Sequence, residues 1–508
     1  MRKEFIFLFI VFLCFISYVN TIQGQFVSDD VEAIVKETNI NKFNLLDLNK
    51  ALNTYCYRLV QLRTTIPYHA VNILIHAINS ILLFVLLSKH YSKTASIWGS
   101  LLFVVLPIHT EAVTWISGRV YLIITLYILT ILLLYELSHK KYRIPLLLAC
   151  FGLFYYFCVS YITWLFSFPL ILITYDLCNK RFKNAHLWLV FIGIVAFHLV
   201  LWYGLIQGRI ANLQELTLNQ GIIQDPFILF NHSVFKSIQL TILPHGYSLY
   251  HEPEIVSYEI LLKEVVCIIL LIAFSYLLVR RDRLLLFFFF ASMFFLAPTY
   301  SPKPVAWLVA ERYYYFTSIT YSVLVCFLYD RFIKYSNILL VLLIMVLLTY
   351  MTITVERNAD YKTAKRFWTA TVEKSPYSPR SHNNLGERYV DEGNFEKAIE
   401  EFNKSIRIHK QYAIPYHNLG VCYQMINEFP KALFFYEMAN RFDEKQVNSF
   451  YNAGTLSLRY NNIPQALKKF GWAYNLEPSN VMFRNMYYDV LKEYKKQQNT
   501  NANQEPTP

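Results

Sequence analysis

Two adjacent carboxylates, Asp29 and Asp30, lie in a short polar loop just past the first apolar stretch of the chain. An apolar stretch of this kind predicts a membrane helix, so the pair would lie where the bilayer meets water. A carboxylate at that boundary could act as a general base towards a substrate presented by the membrane. The alternative is a solvated surface pair, since acids in polar loops are usually exposed. Their position favours Asp29 and Asp30 as catalytic candidates.

A second group of polar residues, His109, Glu111 and Arg119, lies between two apolar runs. The His-x-Glu spacing is compatible with metal ligands, but no further ligand set is visible. No metal site is therefore predicted, and a divalent metal is left open. Glu111 is the better catalytic candidate, because a carboxylate there can orient a substrate hydroxyl or a neighbouring acid. The alternative for His109 and Glu111 is a hydrogen-bond network within the loop.

The third group, Lys303, Glu311 and Arg312, also lies at the end of an apolar run. A guanidinium at a membrane face suits a phosphate, because it offers a planar fork of N–H donors. We interpret this group, with His109 and Arg119, as substrate-binding candidates. The alternatives are an arginine that snorkels to the interface and a simple pair between Glu311 and Arg312.

Polar residues also occur inside one predicted membrane helix, where Asn72, His76 and Asn79 share a face. Unpaired polar groups are costly in lipid, so this face is expected to point into the helix bundle. We interpret the three as residues that hold neighbouring helices together.

The composition divides the chain into two parts. Hydrophobic residues make up 55% and charged residues 16% of the sequence, against roughly 25% charged in soluble domains. The apolar runs fall within 1–355, which predicts a membrane domain, whereas the segment after it reads as soluble. The net charge of +12 comes with basic residues in short loops, which indicates membrane topology rather than nucleic-acid binding. The eight cysteines form no CxxC and predict neither a zinc site nor a disulfide framework.

Apolar runs of roughly 20 residues can cross a bilayer, and the sequence predicts about 11 such spans. The first run could instead be a signal peptide cleaved near Gly24, but we favour a retained helix. With the N-terminus in the cytoplasm, every predicted cytoplasmic turn is basic, and the three candidate groups share the opposite side with the soluble segment. The predicted spans are 5–19, 69–88, 94–107, 119–137, 144–160, 162–176, 187–206, 258–279, 284–299, 313–330 and 336–355.

The soluble segment contains a repeat. Asn384-Leu385-Gly386 recurs at 418–420 and, as Asn-Ala-Gly, at 452–454, each time at a step of 34 residues. This period, with small residues at fixed sites, is typical of tetratricopeptide (TPR) repeats. We predict a TPR α-solenoid over 356–496, with a partial leading repeat and three full ones. The Asn/Gln-rich tail 497–508 is predicted to be disordered.

Together these motifs resemble one family. The segments Pro107-Ile108-His109-Thr110-Glu111-Ala112-Val113, Gly118-Arg119 and Ala310-Glu311-Arg312-Tyr313, followed by the repeats, resemble the transmembrane and TPR-containing O-mannosyltransferase-like proteins. The resemblance implies an all-α, polytopic membrane bundle of the GT-C glycosyltransferase type. It also implies an acidic pair in the first outer loop, which here is Asp29-Asp30.

The activity that the resemblance implies is transfer of a sugar, most often mannose, from a polyprenyl or dolichyl phosphate to protein Ser/Thr hydroxyls. A loop carboxylate would act as general base, and Arg312 or Arg119 would hold the leaving lipid phosphate. The acceptor protein would bind the TPR array on the lumenal or periplasmic side of an endoplasmic reticulum or bacterial inner membrane. Beyond this lipid-phosphate-linked donor, the resemblance implies no firm cofactor.

Two departures from the family pattern favour rival functions. Tyr121 stands where the family usually has an acid after the Gly-Arg, and 160–163 lack a usual Lys-Glu pair. These losses leave open a catalytically degenerate membrane anchor that displays a TPR scaffold to other proteins. A transporter is a weaker alternative, because the polar groups gather at one face rather than at the midplane.

Overall fold

The computed structural model is helical throughout its described residues, which contain no strand, and the predicted all-α class is confirmed. The chain forms two compact units, Met1–Leu213 with Gln224–Lys374, and Gln214–Ile223 with Ser375–Pro508. The described residues are 2–37, 40, 42, 47–138, 143–161, 164, 167–181, 185–218, 231, 233–236, 247, 258–300 and 309–502.

The first unit is a bundle of mainly apolar helices. Its described helices are α1 Lys3–Tyr18, α2 Leu48–Val60, α3 Ile66–Leu87, α4 Lys93–Val105, α5 Thr110–Thr114, α6 Arg119–Ser138, α7 Arg143–Ser160, α8 Ser167–Cys178, α9 Ala185–Leu218, α10 Tyr258–Val279, α11 Arg283–Leu296, α12 Tyr314–Thr317, α13 Ile319–Arg331, α14 Ser336–Asn358 and α15 Ala364–Lys374.

Every predicted span has a described helix at its place, but fewer helices are long and apolar enough to cross a bilayer. Among the described residues, six qualify, or seven if a bent pair counts as one span. Helices such as Ser167–Cys178 are apolar but too short on their own. The expected count of about 11 is therefore not confirmed. The six are Lys3–Thr21, Ile66–Leu87, Ile116–Ser138, Arg143–Ser160, His186–Gly204 and Ile333–Tyr361.

The bent pair carries one of the candidate groups. Lys93–Val105 and Pro107–Thr114 meet at an angle of 47°. Leu106 between them is extended, with φ −60° and ψ 121°, as expected for a residue that precedes a proline. The segment expected to be a loop is thus the second part of a broken helix, and it carries His109 and Glu111.

The polar face of α3 holds the bundle together, as predicted. The Asn72 amide donates to the carbonyls of Val113 and Trp115, both at 3.1 Å. His76 Nδ1 lies 2.6 Å from the Tyr315 hydroxyl. Asn79 donates to the Leu122 carbonyl at 2.9 Å.

Basic turns gather at the other end of the bundle. The Tyr91 hydroxyl donates to Asp282 at 2.7 Å, and the Ser92 backbone N–H donates to Asp330 at 2.8 Å. Turns that the charge pattern assigns to the cytoplasm therefore lie together, away from the end that carries Asp29.

The second unit is an array of paired helices. Each pair approaches closely at a glycine that faces an aromatic ring of its partner helix. A Cβ added to Gly386 would lie 2.6 Å from the Phe402 ring, and one added to Gly420 would lie 2.5 Å from the Tyr436 ring. The helices are α16 Pro379–Asp391, α17 Phe395–Ile408, α18 Ala413–Met425, α19 Phe429–Phe442, α20 Val447–Arg459, α21 Ile463–Leu476 and α22 Val481–Ala502.

Two boundaries differ from the sequence prediction. The helix Ala364–Lys374, expected to begin the repeats, lies in the first compact unit. The tail expected to be disordered from 497 continues as helix to Ala502, and Gln498 donates to the Tyr494 hydroxyl at 2.8 Å. Spacing i, i+4 along a helix explains this contact, which composition alone does not reveal.

Candidate functional site

A polar cavity of about 310 Å³ lies in the first unit, at the bundle end that carries the acidic loop. It brings together Asp29 and Arg312, which are far apart in the sequence. Four aromatic rings form much of its remaining wall. The lining residues are Asp29, Asp47, Asn49, Trp115, Ser117, Val120, Tyr121, Ser160, Tyr161, Trp164 and Arg312.

The acidic loop turns sharply at Ser28, whose φ of 51° is left-handed. This conformation is uncommon for a residue with a side chain. The turn sends the two neighbouring carboxylates in different directions, because Asp29 is exposed and lines the cavity whereas Asp30 is fully buried. The loop therefore presents one acid to the cavity.

Asp30 fastens this loop to the segment that follows Glu111. Its carboxylate accepts from the Ser117 backbone N–H at 2.8 Å, from the Ser117 hydroxyl, and from the Val27 N–H at 3.2 Å. Burial raises the pKa of Asp30 to about 7, and the hydrogen bonds from Ser117 and Val27 partly oppose the rise. A second link runs from Trp115 Nε1 to the Val27 carbonyl at 3.2 Å. Asp30 therefore holds the acidic loop in position through its hydrogen bonds with Ser117 and Val27.

Glu111 fixes Arg312 at the cavity wall. Its carboxylate accepts from the Arg312 backbone N–H at 2.8 Å and forms an ion pair with the guanidinium. Three aromatic rings surround the guanidinium carbon, with ring centroids 5.1 Å away for Trp115, 5.2 Å for Tyr313 and 6.0 Å for Tyr121. A cation held in this way is oriented before any ligand arrives.

Glu311 forms an ion pair with Arg357, which lies near the end of α14. Arg357 also donates to the Pro107 carbonyl at 2.5 Å, and it lies over the Tyr247 ring at 4.1 Å. The Glu111–Arg312 pair thus ties the broken helix to the Glu311–Tyr313 turn, and the Glu311–Arg357 pair ties that turn to α14.

Two other predicted site residues, His109 and Arg119, are not among the residues that line the cavity. His109 Nε2 is 2.7 Å from the Ser318 hydroxyl, and its ring packs against Phe103 with centroids 4.5 Å apart. Arg119 is fully buried, and its guanidinium donates to Asn72 at 2.6 Å, to Asn53 at 2.7 Å and to the Tyr68 carbonyl at 2.8 Å. Lys303 lies outside the described residues.

A metal is not indicated by this arrangement. Within the described ranges, no group of three or more His, Cys, Asp and Glu side chains could hold a metal ion. His109 and Glu111 are committed to different partners, Ser318 and Arg312.

Both departures from the family pattern involve residues that line the cavity. Tyr121 and Ser160 are among the lining residues. The position expected to hold an acid, and the first position of the segment 160–163 expected to hold a charged pair, are therefore part of the site.

Sequence reasoning missed several cavity residues, and it also missed Arg357, which lies outside the cavity wall and pairs with Glu311. Asp47 carried a recognisable signal, since it precedes a helix and caps it by accepting from the Lys50 N–H at 3.1 Å. Tyr161 and Trp164 carried none, because aromatic residues are common throughout this sequence. Arg357 could have been noticed as a charge near the end of a long apolar helix.

Comparison with known proteins finds a TPR repeat family and several protein O-mannosyl-transferases. The TPR repeat family matches residues 386–427. Protein O-mannosyl-transferase F38B6.6 of Caenorhabditis elegans is 30% identical over an alignment of 155 residues, and the match covers 25% of this chain and 22% of that protein. Human protein O-mannosyl-transferase TMTC3 is 29% identical over an alignment of 143 residues, and the match covers 24% of this chain and 16% of that protein.

The predicted resemblance to the TPR-containing O-mannosyltransferase-like proteins is thus confirmed. The matched stretches span less than a quarter of the length of these relatives. Among solved structures, the first TPR of Spaghetti (RPAP3) bound to an HSP90 peptide is 16% identical with a TM-score of 0.22, and the match covers 23% of this chain and 94% of that one.

Proposed function

We propose that this chain is a membrane glycosyltransferase that moves a sugar, mannose in the first instance, from a polyprenyl or dolichyl phosphate to a protein Ser or Thr hydroxyl. The observation that carries the proposal is the shared cavity of Asp29 and Arg312 at one end of an apolar helix bundle. A carboxylate and a guanidinium are the two groups that such a transfer requires.

Asp29 is the general base of this reaction. Its carboxylate takes the proton of the acceptor hydroxyl while the hydroxyl oxygen forms a bond to the anomeric carbon of the sugar. The bond between that carbon and the phosphate oxygen breaks, and its electron pair leaves with the lipid phosphate. Attack opposite the leaving group inverts the anomeric centre.

Arg312 binds the departing phosphate. A guanidinium carries five N–H donors, so its pair with Glu111 leaves donors for a phosphate oxygen. Glu111 and the surrounding rings hold the cation in place, which avoids reorganisation as negative charge develops. Glu111 is then a positioning residue rather than a base.

The TPR array binds the acceptor polypeptide, on the lumenal or periplasmic side of the membrane. Stacked helix pairs form an extended surface that suits a polypeptide ligand. The TPR match and the 34-residue period support this role.

A second candidate is a membrane-anchored scaffold without transfer activity. Tyr121 and Ser160 at the cavity favour it, because they replace charged groups that the family pattern usually supplies. The TPR array is equally compatible with this function.

A transfer assay separates the two. The full chain is reconstituted in lipid with radiolabelled dolichyl phosphate mannose and a Ser/Thr-rich acceptor protein, and mannosylated protein is counted. The enzyme proposal expects label that is alkali-labile on the acceptor, with inverted anomeric configuration, and at least a hundredfold less label with Arg312→Gln. Background label from wild type under conditions where it binds the acceptor would favour the scaffold.

A further inference from the structure

Three residues that line the cavity each carry a buried polar atom without a hydrogen-bond partner among the described residues: Asn49 Oδ1, the Tyr161 hydroxyl and Trp164 Nε1. Tyr161 is 6% exposed and Trp164 is 8% exposed. Buried polar atoms in folded proteins are nearly always paired, so three unpaired atoms on one cavity need an explanation.

The second tryptophan of the cavity provides a contrast. Trp115 Nε1 donates to the Val27 carbonyl at 3.2 Å, as buried indoles usually do. The Trp164 ring is packed on two sides, since it stacks on Phe295 with centroids 5.9 Å apart and meets Tyr121 edge-on at 5.5 Å. The ring that carries the unpaired N–H is therefore held in position beside the cavity.

The unpaired atoms are of complementary kinds. The Asn49 oxygen accepts, the indole N–H donates, and the tyrosine hydroxyl can do both. A ligand that satisfies all three must itself carry several donors and acceptors around a compact ring with an apolar face. The cavity volume of about 310 Å³ lies at the lower end of the roughly 300–1,000 Å³ typical of small-molecule sites. This volume suits one sugar ring and not an oligosaccharide.

We infer that Asn49, Tyr161 and Trp164 form a monosaccharide subsite that recognises the hydroxyls of the donor sugar, with the Tyr121 and Trp164 rings facing the sugar. The inference rests on the proposed function, because it places the sugar beside Arg312 and Asp29. It assigns to Asn49, Tyr161 and Trp164 a role in sugar selection that is separate from the chemistry of transfer.

Binding of two lipids tests the subsite. Dolichyl phosphate mannose and dolichyl phosphate without sugar are measured against the full chain in nanodiscs by competition with labelled dolichyl phosphate. Wild type is expected to bind the mannose-bearing lipid more tightly. Tyr161→Phe and Trp164→Phe each remove one polar group and keep a ring, and each should weaken binding of that lipid roughly tenfold. Their affinity for dolichyl phosphate should not change.

Tyr155→Phe is the matched control, because Tyr155 lies on α7, which ends just before Tyr161, is 47% exposed and is not part of the cavity wall. The subsite is overturned if both variants bind the mannose-bearing lipid as wild type does, or if wild type does not distinguish the two lipids. If mannose is transferred and both variants bind the mannose-bearing lipid as wild type does, the subsite is overturned but the proposed function is not. Weakened variant binding without any transfer would support the subsite and overturn the proposed function.

Discussion

Glu111 holds Arg312 by two contacts, one to the guanidinium and one to the backbone N–H at 2.8 Å, although 201 positions separate the residues. The pair joins the broken helix after α4 to the short helical turn before α12. Both side chains are buried, so each charge depends on the other.

The first prediction follows from this dependence. Arg312→Ala leaves the Glu111 carboxylate buried without its cation, and we expect it to destabilise the first unit by about 3–5 kcal/mol. The double variant Glu111→Ala with Arg312→Ala should be more stable than Arg312→Ala alone. Thermal melting of the purified protein in detergent provides the comparison.

Arg388→Ala is the control for that experiment, because the Arg388–Asp391 pair is partly exposed and should be worth at most about 1 kcal/mol. If the double variant melts below Arg312→Ala, the mutual dependence of Glu111 and Arg312 is contradicted.

Stability should also respond to pH through Asp30. Its pKa is about 7 in the folded protein, above its ordinary value of 3.8, because the carboxyl is buried. The folded state therefore binds the proton of Asp30 more tightly than the unfolded state does. The contribution of Asp30 to the free energy of unfolding is full below about pH 4 and is lost as pH rises through 7. The melting temperature of wild type minus that of Asp30→Asn should fall over this range. A difference that grows with pH would show that the ionised carboxylate is the stabilising form.

The TPR array should be sensitive at its glycines. A Cβ at Gly420 would lie 2.5 Å from the Tyr436 ring, closer than real contacts allow, whereas one at Gly471 would lie 3.4 Å from Tyr487. Gly420→Ala should cost about 1–3 kcal/mol through overpacking, and Gly471→Ala should be neutral or stabilise by up to about 1 kcal/mol. Hydrogen exchange in Ala413–Met425 and Phe429–Phe442 would report the loss. Equal protection in both variants would argue against close approach of these helices.

Sidedness is a further prediction. The charge pattern places Asp29 and the TPR array on one side of the membrane and the turn containing Lys334 on the other. Single cysteines at Asp29, Lys410 and Lys334 are labelled with an impermeant maleimide in sealed vesicles, in a background without Cys178 and Cys267, the cysteines that are not buried. Cysteines at positions 29 and 410 should either both react with the maleimide or both be protected from it, and the cysteine at position 334 should behave in the opposite way. Opposite labelling of 29 and 410 would prevent the proposed enzyme from meeting its acceptor.

Periodicity and composition predicted the elements well. Helices occur at each predicted span, because a long apolar run must form its backbone hydrogen bonds within itself. The three repeat glycines each face an aromatic ring, at the same position in every repeat. The polar face of α3 was also predicted, since spacing along a helix fixes which side chains share a face.

Pairing between distant segments was less predictable. Asp29 and Asp30 look equivalent in the sequence, and only the left-handed turn at Ser28 separates the exposed acid from the buried one. Glu311 and Arg312 are neighbours yet pair with Arg357 and Glu111, because adjacent residues of a helical turn point in different directions. The unpaired polar atoms of Tyr161 and Trp164 result from tertiary packing, and the sequence around these two residues does not predict that packing.

The kinetics of Asp29→Asn test the central claim most directly. Single-turnover transfer from dolichyl phosphate mannose is measured beside the affinity for that lipid, for wild type, Asp29→Asn and Gln23→Ala as an exposed neighbouring control. The account predicts that Asp29→Asn binds the donor as wild type does and transfers the sugar at least a hundredfold more slowly, the usual minimum for loss of a general base. Transfer by Asp29→Asn at the wild-type rate would contradict it.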